Sequence, residues 1–115
     1  MRGKSVGTED VFYTAALLFR SLRNGIFLPE NLWEESVILV RACSPEDAME
    51  KASKIGQAGE TTYTTMDGSE LTWEFFKVER VFQVMGDLAD GTEVFSRFLG
   101  NSEVESLQTP FEDAC

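Results

Sequence analysis

Histidine is absent from this 115-residue chain, and cysteine occurs only twice. Without histidine there is no Ser-His-Asp or Cys-His nucleophile pair and no HExxH metal helix. Two cysteines alone also fall short of the usual structural zinc ligand sets. Catalysis would have to rest on carboxylates, Lys, Arg, Tyr or a hard metal ion, and the chain is expected to carry neither a cofactor nor a metal site. Basic residues are scarce too: 10 Lys and Arg stand against 20 Asp and Glu, a net charge of −10. A phosphate backbone or an anionic lipid surface needs clustered cations, so nucleic-acid and membrane binding are not expected. The acidity suits simple solubility, with a basic protein partner as the sharper alternative.

Long hydrophobic runs are missing as well. No stretch is long enough to span a membrane, and no apolar segment of signal-peptide type follows Arg2 and Lys4. The expectation is a cytoplasmic chain with reduced thiols, since Cys43 and Cys115 make no disulfide framework. Cys43 precedes a helix start, but it has no histidine to activate it and reads as structural filler. A phosphate-cradling loop is also lacking: Gly56-Gln57-Ala58-Gly59 follows a helix rather than opening one.

What is present is a core. Hydrophobic residues make up 43%, including nine Phe and two Trp, enough for one globular domain. The clearest signal is residues 33–58. Ser36-Val37-Ile38-Leu39-Val40 is apolar on both parities, which predicts a strand buried on both faces. Ser44 is a good N-cap, Pro45 suits the first helical position, and Glu46 and Asp47 complement the helix dipole. Asp47 stands where a capping box prefers Glu or Gln, so the box is imperfect. Ala48, Met49, Ala52 and Ile55 then form a narrow apolar stripe, ended by Gly56 or Gly59.

Around this unit, residues 11–22 read as an aromatic-rich strand, with a helix as the competing reading. Arg23-Asn24-Gly25 signals a turn, and residues 26–32 a loop holding Pro29. Residues 60–66 read as a polar edge strand, and Asp67-Gly68 as a type I′ hairpin turn. In the long strand over residues 69–84, Leu71, Trp73 and Phe75 share one phase while Phe76, Val78, Phe82 and Val84 share the other. That slip predicts a bulge near Phe75-Phe76. Residues 92–99 read as a last strand. The fold class is therefore α+β, an antiparallel sheet of about five strands in β-β-α-β-β-β order on one main helix. Residues 1–10 are expected to be a flexible N-terminus, 11–100 a single domain, and 101–115 an acidic, partly ordered tail.

The ordered set Phe12-Tyr13-x-Ala15-x-Leu17-Leu18-Phe19, Leu32-Trp33-Glu34-Glu35, Val37-Ile38-Leu39-Val40-Arg41-Ala42, Ser44-x-Glu46-x-Ala48 and Trp73 ends in Asp90-Gly91-Thr92-Glu93-Val94-Phe95-Ser96-Arg97-Phe98. With it the chain resembles a bacterial family of small domains known only as a domain of unknown function. The resemblance spans residues 11–99 and implies no activity.

Three groups of side chains are candidates for function. Glu34, Glu35, Glu93, Ser96 and Arg97 would form a carboxylate–arginine ligand site if the last strand lay beside residues 33–35; otherwise they are register-setting or solvated charge. Asp87, Asp90 and Glu93 around Gly91 offer oxygen ligands, but the spacing is not that of an EF-hand loop and Asp-Gly is ordinary turn chemistry. Trp33, Trp73 and Phe95, with Phe75, Phe76, Phe82 and Phe98, are either core or interface anchors. One helix covers one face of a sheet, whereas two strands look apolar on both. The expectation is a non-enzymatic binding or regulatory module, homodimeric through its sheet surface. The alternatives are a small-ligand-binding protein or carboxylate-based enzyme using the Glu/Arg cluster, and an acidic antagonist of a basic protein partner.

Overall fold

The structure, a computed structural model, describes residues 10–108. The chain runs β1 (Val11–Arg23), β2 (Trp33–Ala42), α1 (Pro45–Ala58), β3 (Thr61–Thr64), β4 (Glu70–Gln83) and α2 (Asn101–Leu107). The strands form one antiparallel sheet in the order β2-β1-β4-β3. The α+β class and the antiparallel sheet agree with the sequence reading. The strand count is four rather than about five, and a second, short helix is present. The readings of residues 1–9, Cys115 and the end of the acidic tail lie outside the described residues.

β1 is a strand because it is sandwiched. It pairs with β2 along its length and with β4 on its other side. Its alternation puts Tyr13, Ala15, Leu17 and Phe19 on one face, all buried. β2 runs from Trp33 to Ala42 in a register without slips. Its apolar run is not buried on both faces as the sequence implied. Val40 and Ala42 are buried and Ile38 half-buried against α1, whereas Val37 is 55% and Leu39 48% exposed on the opposite face. A single covering helix explains the asymmetry.

α1 begins as the sequence dictates. The Ser44 hydroxyl accepts from the Asp47 amide at 3.0 Å, and Pro45 opens the first turn. The Asp47 carboxylate reaches back to the Cys43 amide at 3.1 Å, one residue short of the N-cap, which is how the imperfect box resolves. Ala48 and Ala52 are fully enclosed, as are Ala15 and Ala42 beneath them. Methyl-sized groups on both sides let the helix lie close on the sheet. Gly56 belongs to the same device. It lies inside α1, Gly59 being the C-cap, and a Cβ there would enter the Phe75 ring. Phe75 in turn packs edge-on to Phe19, centroids 5.7 Å apart. The buried Tyr13 phenol closes the other end of this layer, and its pKa is raised by burial first and by the nearby charges of Cys43, Glu46 and Asp47 second.

β4 carries the expected bulge and one more. The pairing with β1 slips between Leu18–Lys77 and Phe19–Phe75, leaving Phe76 extra, and again between Ala16–Arg80 and Leu17–Val78, leaving Glu79 extra. The first slip brings Val78 onto the helix side with Trp73 and Phe75, and the second brings Val81 there too. It also turns Phe82, the partner of Thr14, to the opposite face from Val78.

The β3–β4 turn corrects a detail. Asp67 does not take the positive φ of a type I′ turn; among residues 65–69 only Gly68 does, at +88°. The Gly68 amide donates to the Thr65 carbonyl at 3.0 Å and the Thr65 amide to the Ser69 carbonyl at 2.8 Å. This is a three-residue loop, a type I turn closed by a left-handed glycine. Asp67 is used differently: its carboxylate accepts from the Thr65 hydroxyl and from the Ser69 amide. Residues 92–99 correct a second point, for they form no strand. The segment is held to β1 by a side chain instead of a ladder, the Thr14 hydroxyl donating to the Val94 carbonyl at 2.8 Å.

Two measurements follow. Gly56→Ala should lower stability by about 1–2 kcal/mol through overpacking against Phe75, opposite in sign to the gain that helix propensity alone would give; urea unfolding decides. The hydrogen bonds from Thr65, then Ser69, lower the Asp67 pKa from 3.8 to about 2. A group whose folded pKa is depressed stabilises the fold above its unfolded value and loses that contribution as pH falls through the folded one. The stability difference between wild type and Asp67→Asn should therefore shrink between pH 4 and about 2, and carboxyl NMR should show Asp67 titrating near the lower end.

Candidate functional site: the open face of the sheet

The face away from α1 is built by the alternate residues of each strand. β1 supplies Phe12, Thr14, Ala16, Leu18 and Arg20; their partners on β2 are Arg41, Leu39, Val37, Glu35 and Trp33. From β4 come Phe82, Arg80, Lys77 and Glu74, opposite Thr14, Ala16, Leu18 and Arg20. The Phe76 bulge adds a ring to this side, where it meets Trp33 edge-on at 5.0 Å.

Two aromatic–arginine clusters result. In the first, Trp33 stands between Phe76 and Phe27, the latter centroid 5.6 Å away. The Arg20 guanidinium lies over Phe27 and Phe76 at 5.1 and 5.4 Å, and its Nε donates to Glu74 Oε1 at 2.8 Å. Quadrupole attraction and the ion pair hold the guanidinium flat, so a cation sits among rings without being stranded. Phe27, Trp33 and Phe76 stay exposed at 37%, 46% and 46%. In the second, Arg80 lies 4.2 Å over the Phe95 ring and donates to Glu35 Oε2 at 2.9 Å. Phe95 meets Phe82 edge-on at 5.5 Å.

The segment after β4 is thus a strap across the open face. The Thr14 hydroxyl, buried within β1, donates to the Val94 carbonyl at 2.8 Å, and Phe95 anchors it beside Arg80. The turn before it is organised by Thr92, whose hydroxyl donates to the Asp87 carbonyl at 2.7 Å and accepts from the Ala89 amide at 2.9 Å. Beyond the strap, α2 starts at Gly100, where Glu103 reaches back to the Gly100 amide as half of a capping box. Its residues are exposed.

The expected site residues are distributed rather than gathered. Glu35 and Phe95 meet, but through Arg80 and not Arg97. Glu34 pairs with Phe19 and so sits on the helix side, opposite to Glu35. Glu93, Ser96 and Arg97 lie exposed along the strap, and no ion pair joins them to Glu34 or Glu35 among the described residues. Of the three interface aromatics, Trp33 and Phe95 share the open face, while Trp73 packs against the helix-side core. Trp73 also lines an open cleft of about 320 Å³ with Ser21, Leu28 and Leu32. Among the described residues no three His, Cys, Asp or Glu side chains converge as metal ligands. Arg20 and Arg80, which organise both clusters, were not singled out from the sequence. The signal was a guanidinium inside a predicted strand, and its meaning depends on strand order.

The fold and this face define a small α+β domain with a one-sided helix layer and an aromatic, arginine-pinned open sheet surface. A family model described as a domain of unknown function, DUF4288, matches residues 12–96, and the chain belongs to that family. No curated protein and no solved structure matches it.

The strap makes a prediction. Thr14→Val keeps shape but leaves the Val94 carbonyl without its donor; it should cost about 1 kcal/mol and speed amide exchange in residues 92–96 more than in β1.

Proposed function

We propose that the protein is a non-enzymatic binding or regulatory module of the cytoplasm that works as a homodimer through its sheet surface. The observation that carries this reading is the exposed apolar pair Val37 and Leu39 on β2, with Phe27, Trp33 and Phe76 exposed on the same face beyond Glu35. Rigid aromatics pinned by a guanidinium present area at low entropic cost, as interface anchors do. The exposed, unbridged Cys43 suits a reducing compartment. The ligand-site alternative has less behind it, because Glu34 and Glu35 face opposite sides and the Glu35 carboxylate is already engaged by Arg80.

Light scattering at tens of micromolar should give twice the 12.9 kDa chain mass. Leu39→Lys should return the monomer mass with an unchanged circular dichroism spectrum. A wild-type monomer at that concentration overturns the homodimer.

A further inference from the structure

We infer that β2 pairs edge to edge with β2 of a second copy, antiparallel about a two-fold axis at Ile38. Val37 then lies opposite the partner's Leu39, and Glu35 opposite the partner's Arg41. The inference rests on the homodimer reading but places the contact at the β2 edge, where of the open-face apolar residues Val37 and Leu39 reach the seam.

β2 is the outer strand of the sheet, ten residues long, and no strand lies beyond it among the described residues. The direction of its backbone groups follows from one bond. The Ser21 amide donates to the Leu32 carbonyl at 2.9 Å, and the β1–β2 register continues without a slip from Arg20–Trp33 to Val11–Ala42. Bonded pairs in an antiparallel ladder recur at every second residue. Even-numbered residues of β2 therefore turn their N–H and C=O toward β1. Trp33, Glu35, Val37, Leu39 and Arg41 turn theirs outward, and the same residues place their side chains on the open face. An uncovered edge of this length with apolar side chains is a template for another strand.

A two-fold axis normal to the sheet keeps like faces together, so odd residues meet odd residues. Three positions of the axis keep Val37 and Leu39 at the seam. An axis at Val37 sets Glu35 against the partner's Leu39, and an axis at Leu39 sets Arg41 against the partner's Val37. Only the axis at Ile38 pairs apolar with apolar and acid with base, each twice. The charges are available for it. The Arg41 guanidinium lies 5.4 Å over the Phe12 ring and has no carboxylate partner among the described residues. Glu35 is bonded to Arg80 through Oε2, and no bond to its Oε1 is formed among the described residues. Lys51 donates to the Arg41 carbonyl at 2.7 Å, a lysine guarding the end of the edge. That carbonyl has a second lone pair for the amide of the partner's Glu35.

The test is a cross-linking experiment on the full chain with Cys43→Ser and Cys115→Ser. Val37→Cys and Leu39→Cys, both at exposed positions, are oxidised separately and as a mixture with one carrying a size tag. Residues of a bonded antiparallel pair have Cα atoms about 5.5 Å apart, within disulfide reach. The mixture should give the tagged–untagged cross-link, with little cross-linking of either variant alone. Arg41→Glu should weaken the dimer by about tenfold or more by setting carboxylates against each other. Efficient cross-linking of Val37→Cys or Leu39→Cys alone overturns the register. A dimer by light scattering that neither cross-links nor responds to Arg41→Glu overturns the edge pairing but leaves the homodimer standing. A monomer overturns both.

Discussion

Everything in this domain follows from one helix resting on one face of a four-stranded sheet whose other face carries apolar and charged side chains together. α1 can approach closely because alanine meets alanine, Ala48 and Ala52 above Ala15 and Ala42, and because Gly56 lets the Phe75 ring in. Close approach on one face makes a dense, thin core. Ala48, Ala52 and Gly56 are the buried part of α1, while Met49 and Ile55 of the expected apolar stripe stay exposed. The opposite face has to be dealt with by other means, and the rest of the chain shows two of them.

The first is chemical. Arg20 and Arg80 are laid over rings and tied to Glu74 and Glu35, which turns apolar surface into a surface that tolerates water. The second is the strap, an irregular segment held by the Thr14 hydroxyl and by Phe95 rather than by a ladder. These devices divide the face spatially. The strap covers the β4 side near Thr14 and Phe82, while Val37, Leu39 and Trp33 on the β2 side remain in the open.

The bulges in β4 connect the two sides. A regular strand would have sent Phe75 and Val78 to opposite faces. The extra residue at Phe76 brings both to the core and releases one ring to Trp33. The second, at Glu79, brings Val81 in and turns Phe82 out toward Phe95. Two local irregularities thus feed the helix-side core and the open face from a single strand.

Much of this was legible in the residues themselves. The Ser44-Pro45 start of α1, the aromatic strand over residues 11–22, the polar β3 and the phase slip at Phe75-Phe76 are local: a cap, a period or a turn residue sets each within a few positions. What the tertiary structure decided is everything that depends on which strand lies next to which. The run Ser36–Val40 looks buried on both faces until β2 proves to be the outer strand, with Val37 and Leu39 beyond the helix's reach. Residues 92–99 have a strand's composition, but the Thr14 hydroxyl, Arg80 and Phe82 hold them across the open face instead. Glu35 finds Arg80 rather than Arg97 because β1 alone separates β2 from β4. Composition and period constrain a segment's own backbone; partners far along the chain are set by sheet order, and sheet order is a property of the whole packed domain.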